Sequence, residues 1–304
     1  MRNNSKLITE MDILYEKNDP LGNAVKDFFE TGITEDILVE SNIAEDDVIP
    51  SSYFFRTIDE MPELEKLALS KCRGKILDVG ATAGCHSLYL QDQGYDITSI
   101  DTSELCCKIM SARGIKKVIK NDIFFFSGEK VDTILLLMNG IGIAGNLEKL
   151  KKFFTVAREI LNPGGQIIFD SSDIDYLYHD PDGGKLINLN SNYYGELIYT
   201  MQYKNFRSPS FEWLFIDYNT LLPLAKETAF EPSLLATGNH YEYLVSLKKI
   251  SKKQTTFKCN SFIRQKIKYH SSNEKDIKNI WNTYSISYTN LFYRQVFFIW
   301  QVFL

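Results

Sequence analysis

The chain has 304 residues, of which 44% are hydrophobic, and this is enough for one large α/β domain or two small ones. Its formal net charge of -5 and its pI near 5.5 argue against a surface built to neutralise nucleic-acid phosphates. Its apolar runs are shorter than the about 20 residues that a membrane-spanning helix requires, and the N-terminus lacks the apolar segment of a secretory signal. We therefore expect a small-molecule substrate, with neither a nucleic-acid nor a membrane partner.

The cysteines point to the compartment. There are five, and none of them is spaced as C-x-x-C. Cys106 and Cys107 are adjacent, which suits neither a zinc site nor a disulfide framework. The pattern favours the reducing cytoplasm and predicts no bound metal.

Residues 61–177 alternate helix-like and strand-like segments. Pro62 begins the first helical segment, Gly94 ends the second, and Ser103 and Asn146 are placed as N-caps of the next two. The fourth strand-like run is almost continuously apolar, as expected of a central parallel strand covered on both faces. Such alternation predicts a doubly wound, mostly parallel sheet. The strand-like segments are KILDVG, YDITSID, KKVIKND, VDTILLLMNG and QIIFD.

The pattern changes after Asp170. Residues 193–217 read as an inserted β-hairpin, and a helix and two further strands follow, which completes a predicted sheet of seven strands. Residues 1–60 are predicted to form an N-terminal helical arm, and 61–250 the main domain. Residues 251–304 lack glycine and proline and have weak periodicity, so we expect an extension that is poorly ordered or accessory.

In an open parallel sheet, ligands bind at the carboxyl ends of the strands. The residues at these ends include Asp78, Asp101, Asp122, Asn139 and Asp170. A site that held a nucleotide by its phosphates would collect cations and backbone amides instead. Carboxylates in these positions favour a ligand with hydroxyl, amine or cationic groups.

The segment LDVGATAGCHSLYL resembles the first motif of the class I S-adenosylmethionine-dependent methyltransferases. The resemblance covers roughly residues 60–250, with a following acid, an N-D-I step and an N-P-G-G turn in the expected order. It implies a Rossmann-like methyltransferase fold and S-adenosylmethionine as the cofactor. This cofactor carries a sulfonium and an ammonium group but no phosphate, which is compatible with acidic strand ends.

The resemblance also implies which positions bind the cofactor. The first loop and the end of the fourth strand would surround the methionine part and the transferred methyl group. The acid ending the second strand would bind both ribose hydroxyls, and the acid after the third strand would approach the adenine. The matching positions are Asp78, Gly80, Ala81, Thr82, Gly84, Asp101, Thr102, Asp122, Ile123, Asn139 and Gly140.

Thr82 departs from the family pattern, which often has glycine at this position. A β-branched residue adds bulk and prefers a negative φ, so reduced cofactor affinity is the main risk. Ala81 and Ala83 keep the neighbouring positions small.

Methyl transfer is an in-line displacement that depends mainly on positioning, although an oxygen or nitrogen nucleophile also needs a base. We expect catalytic residues in the insertion and after the fifth strand, and substrate contacts nearby. The catalytic candidates are Asp173, Glu196 and His240, and the substrate candidates are Arg56, Tyr176 and Tyr194. His86 reads as a packing or capping residue. The aromatic residues of the insertion read either as a packed strand face or as a lid offering π faces to a substrate.

Two alternatives remain open from the sequence. A strand, glycines, a helix and a later acid also describe a nicotinamide-dependent oxidoreductase, although the first turn lacks G-x-G-x-x-G. Thr82 and the unusual tail also fit a non-catalytic protein that retains the methyltransferase fold. The sequence identifies neither the acceptor atom nor the oligomeric state.

Overall fold

The computed structural model describes residues 16–179 and 193–250, which contain a seven-stranded and a five-stranded β-sheet. The proposed extension at 251–304 lies outside the described residues. Within the described ranges, no helix combines the length and the apolarity needed to cross a bilayer.

The seven-stranded sheet consists of β3 (Lys75–Val79), β4 (Asp96–Asp101), β5 (Val118–Lys120), β6 (Val131–Leu136), β7 (Leu161–Ser172), β11 (Phe230–Thr237) and β12 (Glu242–Lys249). Its order is β11-β12-β7-β6-β3-β4-β5. Strands β3 to β7 run parallel to one another, whereas β12 pairs antiparallel with β7 and β11 antiparallel with β12. This order confirms the predicted α/β, doubly wound, mostly parallel sheet.

Helices connect these strands and begin where the sequence supplies caps. Ser103 Oγ accepts a hydrogen bond from Cys106 N at 3.0 Å, and Asn146 Oδ1 accepts one from Lys149 N at 2.9 Å, so both predicted N-caps are confirmed. The helices are α1 (Pro20–Thr31), α2 (Glu63–Lys71), α3 (Cys85–Asp92), α4 (Glu104–Ala112), α5 (Leu147–Ile160) and α6 (Tyr218–Glu227).

The central strands form the core because both of their faces are covered. Leu77, Ile134 and Phe169 are fully buried in one hydrophobic cluster, and Leu135 and Ile168 in the cluster on the opposite face. Burying such apolar side chains is the main favourable term in folding. The rigid centre of the sheet therefore fixes the positions of the loops at its carboxyl edge.

The predicted helical arm is wrong in one respect, because the N-terminal segment contains strands as well as α1. Strands β1 (Ile37–Ser41) and β2 (Asp47–Ile49) belong to the five-stranded sheet, together with β8 (Glu196–Tyr203), β9 (Phe206–Arg207) and β10 (Phe211–Leu214). The order in this sheet is β10-β8-β1-β2, with β9 paired to β8. Residues remote in sequence thus build one small sheet.

The five-stranded sheet presents one face to the rest of the domain. Phe211 pairs with Tyr199 and Trp213 with Leu197, so these side chains share a face. Tyr203 on the same face of β8 packs against α1 in a small core that also includes Ala83. The sheet therefore lies over the loops at the carboxyl edge of the larger one.

Candidate functional site

A cavity of about 540 Å³ lies at the carboxyl edge of the parallel strands. One wall is formed by the ends of β3 and β4 and by the segment after β5, and it includes Gly80, Asp101 and Asp122. The opposite wall is formed by β10, which contributes Phe211 and Trp213. Acids from the larger sheet and aromatic rings from the smaller sheet thus line one space of the size typical of a small-molecule site.

Asp101 ends β4 and points its carboxylate toward the first loop. Its Oδ2 accepts a hydrogen bond from Thr82 N at 2.9 Å, and its Oδ1 accepts one from Ser103 N at 2.8 Å. The side chain is 8% exposed, and this burial raises its pKa to about 6, although the two N–H donors act in the opposite direction. The result is a fixed carboxylate that still lines the cavity.

The first loop adopts left-handed backbone geometry at three positions. Gly80 has φ +68°, Thr82 has φ +52° and Gly84 has φ +78°. Thr82 therefore adopts the conformation in which the family often has glycine, and its Oγ1 donates a hydrogen bond to Gly80 O at 3.2 Å. A left-handed non-glycine residue costs about 1–2 kcal/mol, which the hydrogen bonds of Thr82 can offset.

The glycines of this loop serve two different purposes. A Cβ added at Gly80 would have no neighbour within 4 Å, so open space lies in front of this residue. A Cβ at Gly84 would lie 2.2 Å from Ile115 Cδ1, so a larger residue would displace the end of the Ile115 side chain in addition to straining the left-handed backbone. Gly80 leaves room for a ligand, whereas Gly84 lets the loop pack on the helix α4 side.

Asp78 lies behind the loop and does not line the cavity. It is 2% exposed, and its Oδ2 accepts a hydrogen bond from Ser87 Oγ at 2.5 Å. Ser87 Oγ also lies 2.7 Å from Ser99 Oγ. Burial raises the pKa of Asp78. Its observed contacts anchor helix α3 to the sheet, so any effect on the methionine part of a cofactor would act through the loop.

The segment after β5 contributes the far end of the cavity. Asp122 Oδ1 accepts a hydrogen bond from Phe124 N at 2.9 Å and so caps the 3-10 turn Ile123–Phe125. Asp122, Ile123 and Thr102 all line the cavity. These three residues, which the sequence assigns to cofactor binding, therefore line the same cavity.

The loop after β6 connects the two sheets. Asn139 has φ +53°, and its backbone N donates to Asp170 Oδ2 at 2.9 Å. Its side-chain Nδ2 donates to Leu214 O of β10 at 3.3 Å. Next to it, a Cβ at Gly142 would lie 2.2 Å from Trp213 Cε2, so glycine allows the indole to approach the backbone. The aromatic wall is therefore held against the end of β6.

The three catalytic candidates have different environments. Asp173 Oδ1 accepts hydrogen bonds from Tyr194 Oη at 2.7 Å and from Asp175 N at 3.0 Å. His240 is exposed in the turn before β12, at the same edge of the sheet as Asp173. Glu196 Oε1 instead accepts a hydrogen bond from Leu147 N at 2.9 Å, in the first turn of α5. Its observed contact is that of a helix cap, which the sequence did not suggest.

The three substrate candidates also lie in different environments. Tyr176 is 46% exposed and stacks on Tyr241 with ring centroids 4.9 Å apart. Tyr194 is fixed by its hydrogen bond to Asp173. Arg56 does pair with a carboxylate, but this is the carboxylate of Glu65, at 3.0 Å to both of its oxygens. The structure thus places Tyr176 on the surface and Arg56 inside the protein, and neither residue belongs to the cavity lining.

Sequence reasoning missed the buried cluster around Glu65. His86 Nε2 lies 2.8 Å from Glu65 Oε2, and the Arg56 guanidinium lies 3.4 Å from the Tyr53 ring centroid. Burial acts to raise the pKa of Glu65, but the contacts from His86 and Arg56 lower it below its usual value. Tyr53 and Arg56 are close in sequence, but Glu65 and His86 come from two other segments, and no local pattern links the three segments.

The lining fits S-adenosylmethionine better than a phosphate-bearing nucleotide. Asp101 offers a fixed carboxylate to vicinal hydroxyls, and Gly80 leaves open space beside it. The only lysine or arginine in this lining, Lys149, pairs with Glu212 at 2.6 Å. In the described ranges, no three His, Cys, Asp or Glu side chains are grouped as a metal site.

Comparison with known proteins shows that the chain is similar to methyltransferases. A family model described as a methyltransferase domain matches residues 77–169. A crystal structure of an S-adenosylmethionine-dependent methyltransferase from Bacteroides fragilis in complex with S-adenosyl-L-homocysteine is 39% identical. The match covers 77% of the present chain and 96% of the Bacteroides fragilis chain, with a TM-score of 0.72.

A curated relative agrees with this assignment. The probable cobalt-precorrin-6B C(15)-methyltransferase (decarboxylating) of Saccharolobus solfataricus is 32% identical over 138 residues. The match covers 40% of this chain and 68% of the relative. The residues matched by the family model include Gly80, Asp101 and Asp122, which line the cavity.

Proposed function

Because the chain belongs to the class I S-adenosylmethionine-dependent methyltransferases, we propose that it methylates a small molecule that binds beneath the aromatic face of the five-stranded sheet. The family's cofactor is S-adenosylmethionine. Residues 61–250 are proposed as the catalytic domain, with 193–217 as the inserted hairpin. The observation that carries the proposal is the single cavity shared by Asp101, Asp122, Phe211 and Trp213.

The acidic wall of the cavity is proposed to hold the nucleoside. Asp101 can accept both ribose hydroxyls because its carboxylate is already oriented by Thr82 N and Ser103 N. Asp122 and Ile123 line the same cavity and are proposed to contact the adenine. A preorganised site of this kind loses little conformational entropy when the ligand binds.

The aromatic wall is proposed to contact the acceptor. Tyr199 and Trp213 lie nearly parallel, with centroids 6.4 Å apart and an interplanar angle of 23°, and Phe211 meets Tyr199 edge-on at 6.2 Å. Such rings favour a flat, apolar or cationic acceptor. They are half-buried, and this leaves ring surface available to a ligand.

When bound, S-adenosylmethionine supplies an electrophilic methyl group on a sulfonium. The protein's part is to exclude water and to align the nucleophile, and alignment can provide much of the acceleration. Asp173 and His240 are the candidate bases for an oxygen or nitrogen nucleophile, because both lie at the edge formed by β7 and β12. Tyr194 would orient Asp173 through its hydroxyl.

The test is binding followed by turnover. Titration calorimetry with S-adenosylhomocysteine should give saturable binding to the full chain, whereas NADH should give none. Release of S-adenosylhomocysteine is then measured with a panel of aromatic amines, phenols and thiols, together with cobalt-precorrin-6B, the substrate named for the curated relative. NADH binding without S-adenosylhomocysteine binding would contradict the proposal.

A substitution at Trp213 tests the proposed role of the aromatic wall in acceptor binding. Trp213→Leu removes the indole while keeping an apolar side chain, and we expect it to raise KM for the acceptor more than it changes kcat. Phe29→Leu is a matched control, because Phe29 is 43% exposed on helix α1 and lies outside the cavity lining.

A further inference from the structure

Helix α1 packs on the two loops that carry the proposed nucleoside site. Ala24 and Val25 of α1 are fully buried in one cluster with Ala83 of the first loop and Ile109 of α4. Helix α4 in turn follows Asp101, the last residue of β4. The family model matches residues 77–169, so α1 lies outside the matched region and is a separate element that contacts both loops.

Asp19 connects α1 to Asp101 through one serine. It precedes α1, and its Oδ1 caps the helix by accepting a hydrogen bond from Gly22 N at 2.7 Å. Its Oδ2 accepts a hydrogen bond from Ser103 Oγ at 2.5 Å, while Ser103 N donates to Asp101 Oδ1 at 2.8 Å. Ser103 therefore bridges the carboxylate in front of α1 and the carboxylate that lines the cavity.

Glycine at position 22 leaves space for this bridge. A Cβ there would lie 2.2 Å from Asp19 Oδ2 and 2.6 Å from Ser103 Oγ. A larger residue would therefore push the Asp19 carboxylate away from the serine. Alanine favours a helix more than glycine does, so α1 has a poor helix former at the point where the hydrogen bond needs room.

We propose that Asp19 is a positioning residue of the cofactor site, which holds Asp101 through Ser103 and couples the docking of α1 to nucleoside binding. This inference rests on the proposed function, because it takes Asp101 as the acid that binds the ribose. Asp19 is not part of the cavity lining, so it acts through the serine and not on the ligand. Such coupling is reciprocal, because a nucleoside favoured by docked α1 must itself favour the docked helix to the same extent.

The charge of Asp19 has a second effect on Asp101. Burial raises the pKa of Asp101 to about 6, and the negative charge of Asp19 acts in the same direction. Burial also raises the pKa of Asp19, although the hydrogen bonds from Ser103 and Gly22 oppose this. In the described segments, the other titratable groups around the two carboxylates are Glu16, Glu104, Cys106, Cys107 and Lys120. Removing the charge of Asp19 should therefore lower the pKa of Asp101.

The first experiment compares two aspartates that fix α1 to different parts of the domain. Asp27 Oδ2 accepts hydrogen bonds from Tyr203 Oη at 2.8 Å and from Lys204 Nζ at 2.7 Å, so Asp27 fixes α1 to β8 and the turn after it. Titration calorimetry with S-adenosylhomocysteine is run at pH 7.5 on wild type, Asp19→Ala and Asp27→Ala. We expect a loss of affinity of about fivefold or more in Asp19→Ala and of less than about twofold in Asp27→Ala.

Gly22→Ala is a second variant for the case that Asp19→Ala does not fold. It keeps the side chains of both Asp19 and Ser103 and adds only the Cβ that separates them. Because alanine also favours the helix, a loss of affinity in this variant cannot come from a weaker α1. We expect a loss of about fivefold, as in Asp19→Ala.

The second experiment measures the reverse effect, that of the ligand on the helix. Hydrogen exchange of residues 20–31 is followed in the full chain with and without saturating S-adenosylhomocysteine. In wild type and Asp27→Ala, the ligand should slow this exchange by about threefold or more. In Asp19→Ala, the ligand should not slow it.

Asp19→Asn adds a pH profile that a purely structural role would not change. Asparagine keeps the shape of the side chain and can still contact Ser103, but it carries no charge. Since ribose hydroxyls bind best to ionised Asp101, the affinity of wild type should fall as the pH drops below about 6. In Asp19→Asn this fall should begin at a pH lower by about half a unit or more.

Three results would overturn the inference. One is an equal loss of affinity in Asp19→Ala and Asp27→Ala, which would mean that only the general packing of α1 matters. Another is that the ligand leaves the exchange of residues 20–31 unchanged in wild type. The third is the same pH dependence of affinity in Asp19→Asn and wild type. In all three cases wild type binds S-adenosylhomocysteine, whereas a wild type that does not bind it would overturn the proposed function and this inference with it.

Discussion

The backbone N–H of Thr82 donates a hydrogen bond to Asp101 Oδ2 at 2.9 Å, so the first loop is bound directly to the acid that ends the next strand. Thr82 has φ +52°, a left-handed conformation that glycine adopts readily. The same interaction orients Asp101 and stabilises the strained residue. The departure from glycine therefore keeps the loop geometry that the site requires.

Thr82→Gly is expected to change the affinity for S-adenosylhomocysteine by less than about threefold, or about 0.7 kcal/mol. The reason is that the wild-type backbone already has the conformation that glycine would adopt. Calorimetry on the two proteins measures the difference. Thr82→Val is the matched control, because it keeps the branched shape but loses the hydrogen bond to Gly80 O, and it should lower the Tm. A gain of more than tenfold in Thr82→Gly would mean that Thr82 obstructs the cofactor.

Asp101→Asn should weaken S-adenosylhomocysteine by about 10- to 100-fold, since a hydrogen bond to a charged group contributes about 1.5–3 kcal/mol. The variant keeps the size of the side chain and loses its charge. Calorimetry at pH 7.5 measures the change, and Asp96→Asn serves as the control on the same strand, β4. Equal affinities for Asp101→Asn and wild type would contradict the assignment of Asp101 to the ribose.

The pH dependence of stability gives a separate test of Asp101. Burial raises its pKa from 3.8 to about 6, so the folded protein keeps this proton at pH values where the unfolded chain has lost it. The contribution of Asp101 to the free energy of unfolding should therefore fall between about pH 4 and pH 6, by about 3 kcal/mol at most. Urea denaturation of wild type and Asp101→Asn at pH 4 and pH 7.5 measures this contribution as their difference. If the free energy of unfolding of wild type rose relative to that of Asp101→Asn between pH 4 and pH 7.5, the prediction would be contradicted.

The two glycines of the first loop should respond differently to alanine. Gly84→Ala should lower the free energy of unfolding by about 2–4 kcal/mol, because left-handed strain adds to the clash with Ile115. Gly80→Ala should cost only the strain of about 1–2 kcal/mol but should also reduce cofactor affinity, since its Cβ enters open space beside the cavity. Thermal unfolding with and without S-adenosylhomocysteine separates the two effects. Gly94→Ala, with φ +85° and open surroundings, reports the strain alone.

The parallel sheet could be predicted because its signals are local. Each strand is a short apolar run, and caps such as Ser103 and Asn146 mark where helices begin. The sequence predicts a hairpin over residues 193–217, but the addition of β1 and β2 to it could not be predicted, because β1 pairs with β8 across a long sequence separation. Its short, half-exposed strands lack a clear alternation, so residues 1–60 resembled a helical arm.

The candidate site could likewise be predicted only where it depends on local sequence signals. The acids at strand ends follow from the order of strands, which places Asp101 and Asp122 on one wall of the cavity. The contact between Asn139 and Asp170 depends on two strands lying side by side, and the cluster of Arg56, Glu65 and His86 on the packing of separate segments. Residue type alone suggests a base at Glu196, whereas its position on β8 beside the first turn of α5 determines its observed contact.

Glu196 provides the last test, because capping and catalysis predict different results. As a cap, Glu196 stabilises α5 by accepting the Leu147 N–H, so Glu196→Ala should lower the free energy of unfolding by about 0.5–2 kcal/mol. Glu196→Gln keeps an acceptor oxygen and should lose less than half of that amount. Urea denaturation of both variants measures the loss, and once an acceptor is available the pH profile of kcat/KM should be unchanged in Glu196→Gln. A general base at this position would instead remove the acidic limb of that profile in Glu196→Gln while leaving the stability unaffected.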